Sequence, residues 1–140
     1  MKDYVDVTVR VRYAETDQMG VVYYANYLVW FEIGRTELLR QRGVAYKDME
    51  ADGCYVVVTE ATCRYGASAR YDDVVTIRTR IGKLQSRVVS FAYDVLADDG
   101  QRIATGQTTH VITDRDGRPR RLPDRYRQAL VGPGRGGADG

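Results

Sequence analysis

Between about Ala25 and Arg42 the chain carries a helix-length segment that is apolar on almost every side, and any fold it adopts must bury it. Tyr27, Trp30, Phe31, Gly34 and Leu38 recur at helical offsets, while Leu28, Val29 and Ile33 fill the faces between them. Only Glu32 interrupts the first half, and Gly43 supplies a stop signal. Such a pattern predicts a helix covered on most sides, unlike a surface helix with one wet face. Gly34 in the interior costs about 1 kcal/mol in propensity, so a close approach to another backbone is expected there.

The rest of the chain reads largely as sheet. Val5, Val7, Val9 and Val11 alternate with Asp6, Thr8, Arg10 and Arg12, the period of a half-buried strand. Ala14–Gly20 breaks that alternation. After a short helical piece near Val44–Ala51 come four long segments rich in Val, Ile, Thr and Tyr: Tyr55–Tyr65, Val74–Leu84, Arg87–Ala97 and Arg102–Thr113. Turn residues at Gly66–Asp73, Asp98–Gly100 and Asp114–Gly117 separate them. Connections this short favour antiparallel neighbours. The order predicts an α+β fold, one five-stranded antiparallel sheet curled around a single long central helix. The sheet's outer face and free edges would still need cover, which points to self-association.

A chain of 140 residues fits one domain, residues 1–131. The tail Gly132–Gly140 is too poor in apolar groups to pack and is expected to be disordered. A net charge of +2 gives no general attraction to nucleic acid or to a membrane surface. The basic run Arg115–Arg121 reads as a solvated turn. Cys54 and Cys63, nine residues apart with no CxxC or HxxxH companion, make no zinc pattern, and no apolar run reaches membrane-spanning length. Met1–Arg10 lacks the character of a signal peptide, so a cytoplasmic location is expected, with reduced thiols.

Chemistry is suggested by TDQMGVVYYANY, Thr16–Tyr27, which sets Asp17 three residues before Gly20 and just ahead of the helix. Gly20 permits a turn that returns the acid toward the helix start. The first N–H groups of a helix lack internal acceptors and carry the positive end of its dipole. Read from D-x-x-G alone, Asp17 serves equally as an Asx-turn acceptor or a cap. The single histidine, His110, lies among threonines in the last long segment and reads as a sheet-surface residue. No GxSxG nucleophile elbow occurs. Glu32 reads as a buried acid paired with Arg35 or Thr36, with Glu37 the other helix acid of interest.

Tyr13–Arg40, YAETDQMGVVYYANYLVWFEIGRTELLR, resembles the hotdog-fold acyl-CoA thioesterases of the 4-hydroxybenzoyl-CoA and Tol–Pal-associated types. The motif is matched at Asp17, Gly20, Val21, Val22, Tyr23, Tyr24 and Tyr27, with Trp30, Phe31 and Glu32 after them. Arg64–Asp73, RYGASARYDD, is similar to the family's Y-x-x-P-A-R-x-D-D turn, with Ser68 where many relatives have proline. The resemblance implies a hotdog fold and hydrolysis of an acyl- or aryl-CoA to free acid and coenzyme A. It implies Asp17 as nucleophile or general base, Gly20 shaping its turn, and the Tyr24 N–H as oxyanion donor. Tyr23 and Tyr27 are the implied acyl-slot residues, with Trp30 and Phe31 mostly in packing. Arg70, Lys83 and Arg87 are candidate cations for the coenzyme A phosphates.

No cofactor is implied, since coenzyme A belongs to the substrate. The implied assembly is a homodimer or homotetramer with the site between subunits. Tyr24 stands where one branch has histidine and the other tyrosine, which leaves the acyl preference open. Two other functions are a hotdog hydratase or dehydratase and an acyl-CoA-binding module without chemistry. The first is disfavoured by the lack of histidine in Tyr13–Arg40.

Overall fold

The computed structural model describes residues 3–131; the tail expected to be disordered lies outside them. Strand β1 (Tyr4–Arg10) leads through a 3-10 turn (Tyr13–Glu15) and a loop to α1 (Asn26–Gln41) and the short α2 (Tyr46–Ala51). Strands β2 (Tyr55–Tyr65), β3 (Val74–Leu84), β4 (Val88–Leu96) and β5 (Arg102–Thr113) follow, and α3 (Asp124–Val131) ends the described chain. The five strands form one sheet in the order β1-β3-β4-β5-β2, with every neighbouring pair antiparallel. The central helix and the four later strands are where the sequence puts them, within a residue at each end, while β1 stops two residues short of the alternation that marked it. Helix α3 was not foreseen, because only Tyr126 and Leu130 carry its buried side. Arg125 and Tyr126 both bond the Asp52 carboxylate, tying α3 to the end of α2.

Helix α1 lies on the inner face of the sheet and buries Tyr27, Trp30, Phe31, Gly34, Leu38 and Leu39. It sits deep because two glycines give way. A Cβ at Gly34 would stand 2.3 Å from Thr79 Oγ1 and 2.7 Å from Ile77 Cγ2, so the close approach is to side chains of β3, not to a backbone. The Phe31 ring stacks on Tyr93, with centroids 4.2 Å apart and planes within 9°. That ring rests over Gly106 of β5, where a Cβ would come within 2.3 Å of it.

The opposite side of α1 is not covered as expected. Leu28 and Val29 are 41% and 47% exposed, and Glu32 is exposed with them. The wrap stays open because β2 is an edge strand whose only partner is β5, and it leaves Val57, Val58 and Tyr65 nearly half exposed. Glu32 is therefore not a buried acid paired with Arg35 or Thr36. Arg35 turns inward to the Tyr93 hydroxyl at 3.5 Å, and Glu37 holds Arg40 and Gln41 on the surface.

His110 is a second correction: it is fully buried on the inner face of β5, opposite Val89 of β4 and Val58 of β2. Its place on a strand surface was legible, but which surface depends on register. A chain of polar contacts runs from Arg35 through the Tyr93 hydroxyl to Thr108 Oγ1 at 2.6 Å and on to His110 Nε2 at 2.8 Å. Since Arg35 can only donate, the fewest orphans result when Tyr93 donates to Thr108 and Thr108 to Nε2. The His110 proton then sits on Nδ1, which has no partner. Burial, with the Arg35 charge added, lowers the His110 pKa to about 4.

Two expectations follow for stability. The histidine is neutral in the folded protein and titrates near 6.5 when unfolded, so its contribution is whole above pH 6.5 and is lost as pH falls toward 4. That amounts to about 3 kcal/mol. Urea midpoints measured from pH 7.5 to 4.5 should drop in the wild type, and His110→Gln should flatten the part of the curve between pH 6.5 and 5. Gly106→Ala should cost about 1–3 kcal/mol by overpacking, read as a lower urea midpoint at unchanged m-value.

Candidate active site

From Glu15 to Tyr23 the chain closes into a small hairpin. The Asp17 N–H donates to the Val21 carbonyl at 2.9 Å, the Gly20 N–H to the Asp17 carbonyl at 3.0 Å, and the Tyr23 N–H to the Glu15 carbonyl at 2.8 Å. Thr16 and Val22 face one another across it. Gly20 closes the turn at φ +80°, a left-handed conformation that side chains resist. Asp17 is half-buried, and its Oδ1 accepts the Met19 N–H at 2.8 Å. This is the Asx turn that D-x-x-G suggested. It occupies one carboxylate oxygen; Oδ2 accepts no hydrogen bond among the described residues.

The helix start differs in detail from the simple picture of free opening amides. The N–H groups of Asn26, Tyr27 and Leu28 donate to the carbonyls of Tyr23, Tyr24 and Ala25. The chain is thus already turning before α1 begins. At this helix start the N–H groups of Tyr24 and Ala25 find no acceptor among the described residues. Tyr24 is the residue that the resemblance marked as donor.

An aromatic surface flanks this point. The Tyr23 and Tyr24 rings lie 4.7 Å apart, and Tyr65 of β2 stands edge-on to Tyr24 at 6.3 Å and to Tyr27 at 5.0 Å. Contact with the Tyr24 side chain, and further the charge of Asp17, raises the Tyr23 pKa, so the acid and this surface share one neighbourhood. The Tyr65 hydroxyl donates to the Tyr24 carbonyl at 2.8 Å and so holds the turn ahead of α1. Tyr65 was missed as a site residue, although it opens the second motif, and only the fold brings the two motifs together.

The remaining candidates divide. The Val22 N–H donates to the Ala69 carbonyl at 2.8 Å, docking the hairpin on the Gly66–Asp73 turn. Arg70 Nη1 lies 3.9 Å from where a Gly20 Cβ would stand, so this cation is at the loop. Lys83 and Arg87 flank the β3–β4 turn at the far end of β3, about 30 Å from Val74 by strand rise. One protomer does not bring them to Asp17. Tyr23 and Tyr24 are 45% and 61% exposed, whereas Tyr27 is 3% exposed and packs on Trp30 as core. Trp30 and Phe31 are fully buried, as expected.

Clefts of about 690 Å³ and 650 Å³ are lined by neither Asp17 nor Tyr24. No cluster of three or more His, Cys, Asp or Glu able to hold a metal ion occurs among the described residues. The site therefore consists of a carboxylate with one free oxygen, an unpaired backbone donor, an arginine and an open aromatic surface.

A family model described as the thioesterase-like superfamily matches residues 11–130. The acyl-CoA thioester hydrolase YbgC of Escherichia coli is 33% identical over 116 residues, 82% of this chain and 87% of that protein. Among solved structures, a DHNA-CoA thioesterase from Staphylococcus aureus superposes with a TM-score of 0.83 at 34% identity, covering 88% of this chain and 83% of that one. A hypothetical protein from Thermus thermophilus, TT1821, does so with a TM-score of 0.86 at 38% identity, covering 90% and 96%.

Proposed function

We propose, for a chain that belongs to the thioesterase-like superfamily and hydrolyses acyl-CoA thioesters on a hotdog fold, that Asp17 is the carboxylate that does the work. The observation carrying this reading is the free Oδ2 of Asp17, held by a closed hairpin next to a turn whose Tyr24 N–H has no acceptor. The thioester oxygen would take the Tyr24 N–H; a positioned donor of this kind is worth about 2.7–4 kcal/mol in the transition state. Asp17 then either attacks the carbonyl carbon, giving an anhydride that water cleaves, or takes a proton from the attacking water. Coenzyme A leaves as a thiolate that needs little help, so the reaction uses no cofactor.

The working unit in this reading is at least a homodimer. Leu28 and Val29 of α1 leave an apolar surface beside the site, and β2 offers a free edge for pairing. A two-fold partner on this face would turn the open aromatic surface into a slot. Lys83 and Arg87 could reach coenzyme A phosphates only across such an assembly, while Arg70 serves from within the protomer. The two free thiols, Cys54 and Cys63, suit a cytoplasmic enzyme.

Thiol release from a panel of acyl- and aryl-CoA substrates tests the reading. Asp17→Asn should lower kcat by about 10²–10⁴-fold, and an unaffected kcat would remove Asp17 from the mechanism. Single turnover in H₂¹⁸O tests for attack by Asp17: label left in the protein shows an anhydride that water opened at the Asp17 carbonyl. Val29→Asp should shift sedimentation equilibrium from dimer to monomer and lower activity with it; a wild type that sediments as an active monomer contradicts the dimer.

A further inference from the structure

Glu15 is the only aspartate or glutamate among the described residues that is buried, at 4% exposure. A buried carboxylate is costly unless its oxygens are bonded, and both of these are. Oε1 accepts the Arg12 N–H at 2.8 Å, and Oε2 accepts the Trp30 indole N–H at 3.0 Å, with the Arg12 guanidinium 3.6 Å away. The same residue's carbonyl accepts two more bonds, from the Tyr23 N–H and the Asn26 side chain, each at 2.8 Å.

These contacts put Glu15 at the open end of the Asp17 hairpin, joined to both of its arms and to α1. The hairpin itself is mostly exposed from Gln18 to Gly20 and has little packing of its own. Its anchor is Trp30, which is fully buried in the core. The Tyr23 N–H held on the Glu15 carbonyl directly precedes the unpaired amide of Tyr24.

We infer that Glu15 is a positioning residue of the hydrolytic site, fixing the Asp17 hairpin to the central helix through the Trp30 indole. The inference rests on the Asp17 reading. Glu15 touches no substrate, since both its oxygens are occupied and inside. It acts through where it puts Asp17, and a displacement of about 1 Å at a reacting group can cost 10²-fold in rate.

Glu15→Gln keeps the size but sets an amide N–H against one of two donors. In protein still folded at the assay temperature by circular dichroism, its kcat should fall about 10–100-fold with KM changed less than about threefold. Amide exchange at Asp17 and Gly20 should quicken. Trp30→Phe, which removes one donor and keeps an aromatic ring of smaller size, should lower kcat in the same sense by a smaller factor; assayed in folded protein, it decides the matter if Glu15→Gln does not fold. A folded variant with wild-type kcat, or a loss that only follows the folded fraction, overturns the inference. Wild-type protein releasing no thiol from the panel would instead overturn the Asp17 reading, and the inference with it. An active wild type and a silent Asp17→Asn, beside an unimpaired Glu15→Gln, would overturn the inference alone.

Discussion

The whole structure depends on how deeply α1 sinks into the sheet. Phe31 lies flat between Tyr93 and the bare backbone of Gly106, and Gly34 brings the helix against Thr79 and Ile77. A methyl group at either glycine would lift the helix off the strands. Close packing here does more than bury apolar area. It sets the height of the helix start, and the hairpin that carries Asp17 is hung from that start by Trp30, Asn26 and Tyr23. Any shift at the centre of the helix would therefore be felt by the acid.

Two buried polar groups lie under the same helix and differ in kind. The Glu15 carboxylate has all it needs, with donors at both oxygens. His110 is satisfied on one nitrogen only, and Arg35 and Thr79 each leave a polar atom unpaired nearby in the core. A fully bonded charge can hold a loop still, whereas a half-bonded network makes the fold sensitive to pH. The first arrangement sits beside the Asp17 hairpin and the second on the inner face of β5.

The protomer is open where the chemistry is proposed. The aromatic surface of Tyr23, Tyr24 and Tyr65 is open, the nearest apolar side chains of α1 and β2 are exposed, and two of the three candidate phosphate-binding cations lie at the far end of β3. In the dimer proposed above, such a site would gain its walls from association, and catalytic competence would be linked to the same apolar surface that drives the pairing.

By itself the sequence determined the five strands, the central helix and the Asp17 loop. Alternation marked β1, helical spacing marked the stripe from Tyr27 to Leu38, and Asp17, Gly20 and Tyr24 stood out by their motif, because these signals are local and survive in one dimension. Only the tertiary structure decided that Leu28, Val29 and Glu32 face outward, that His110 faces inward, and that Lys83 and Arg87 are remote from Asp17. It also decided that Tyr65 and Glu15 converge on the helix start. Those facts depend on strand order, register and the depth at which one helix lies, and a chain's spacing carries no record of contacts between residues 15 or 41 positions apart.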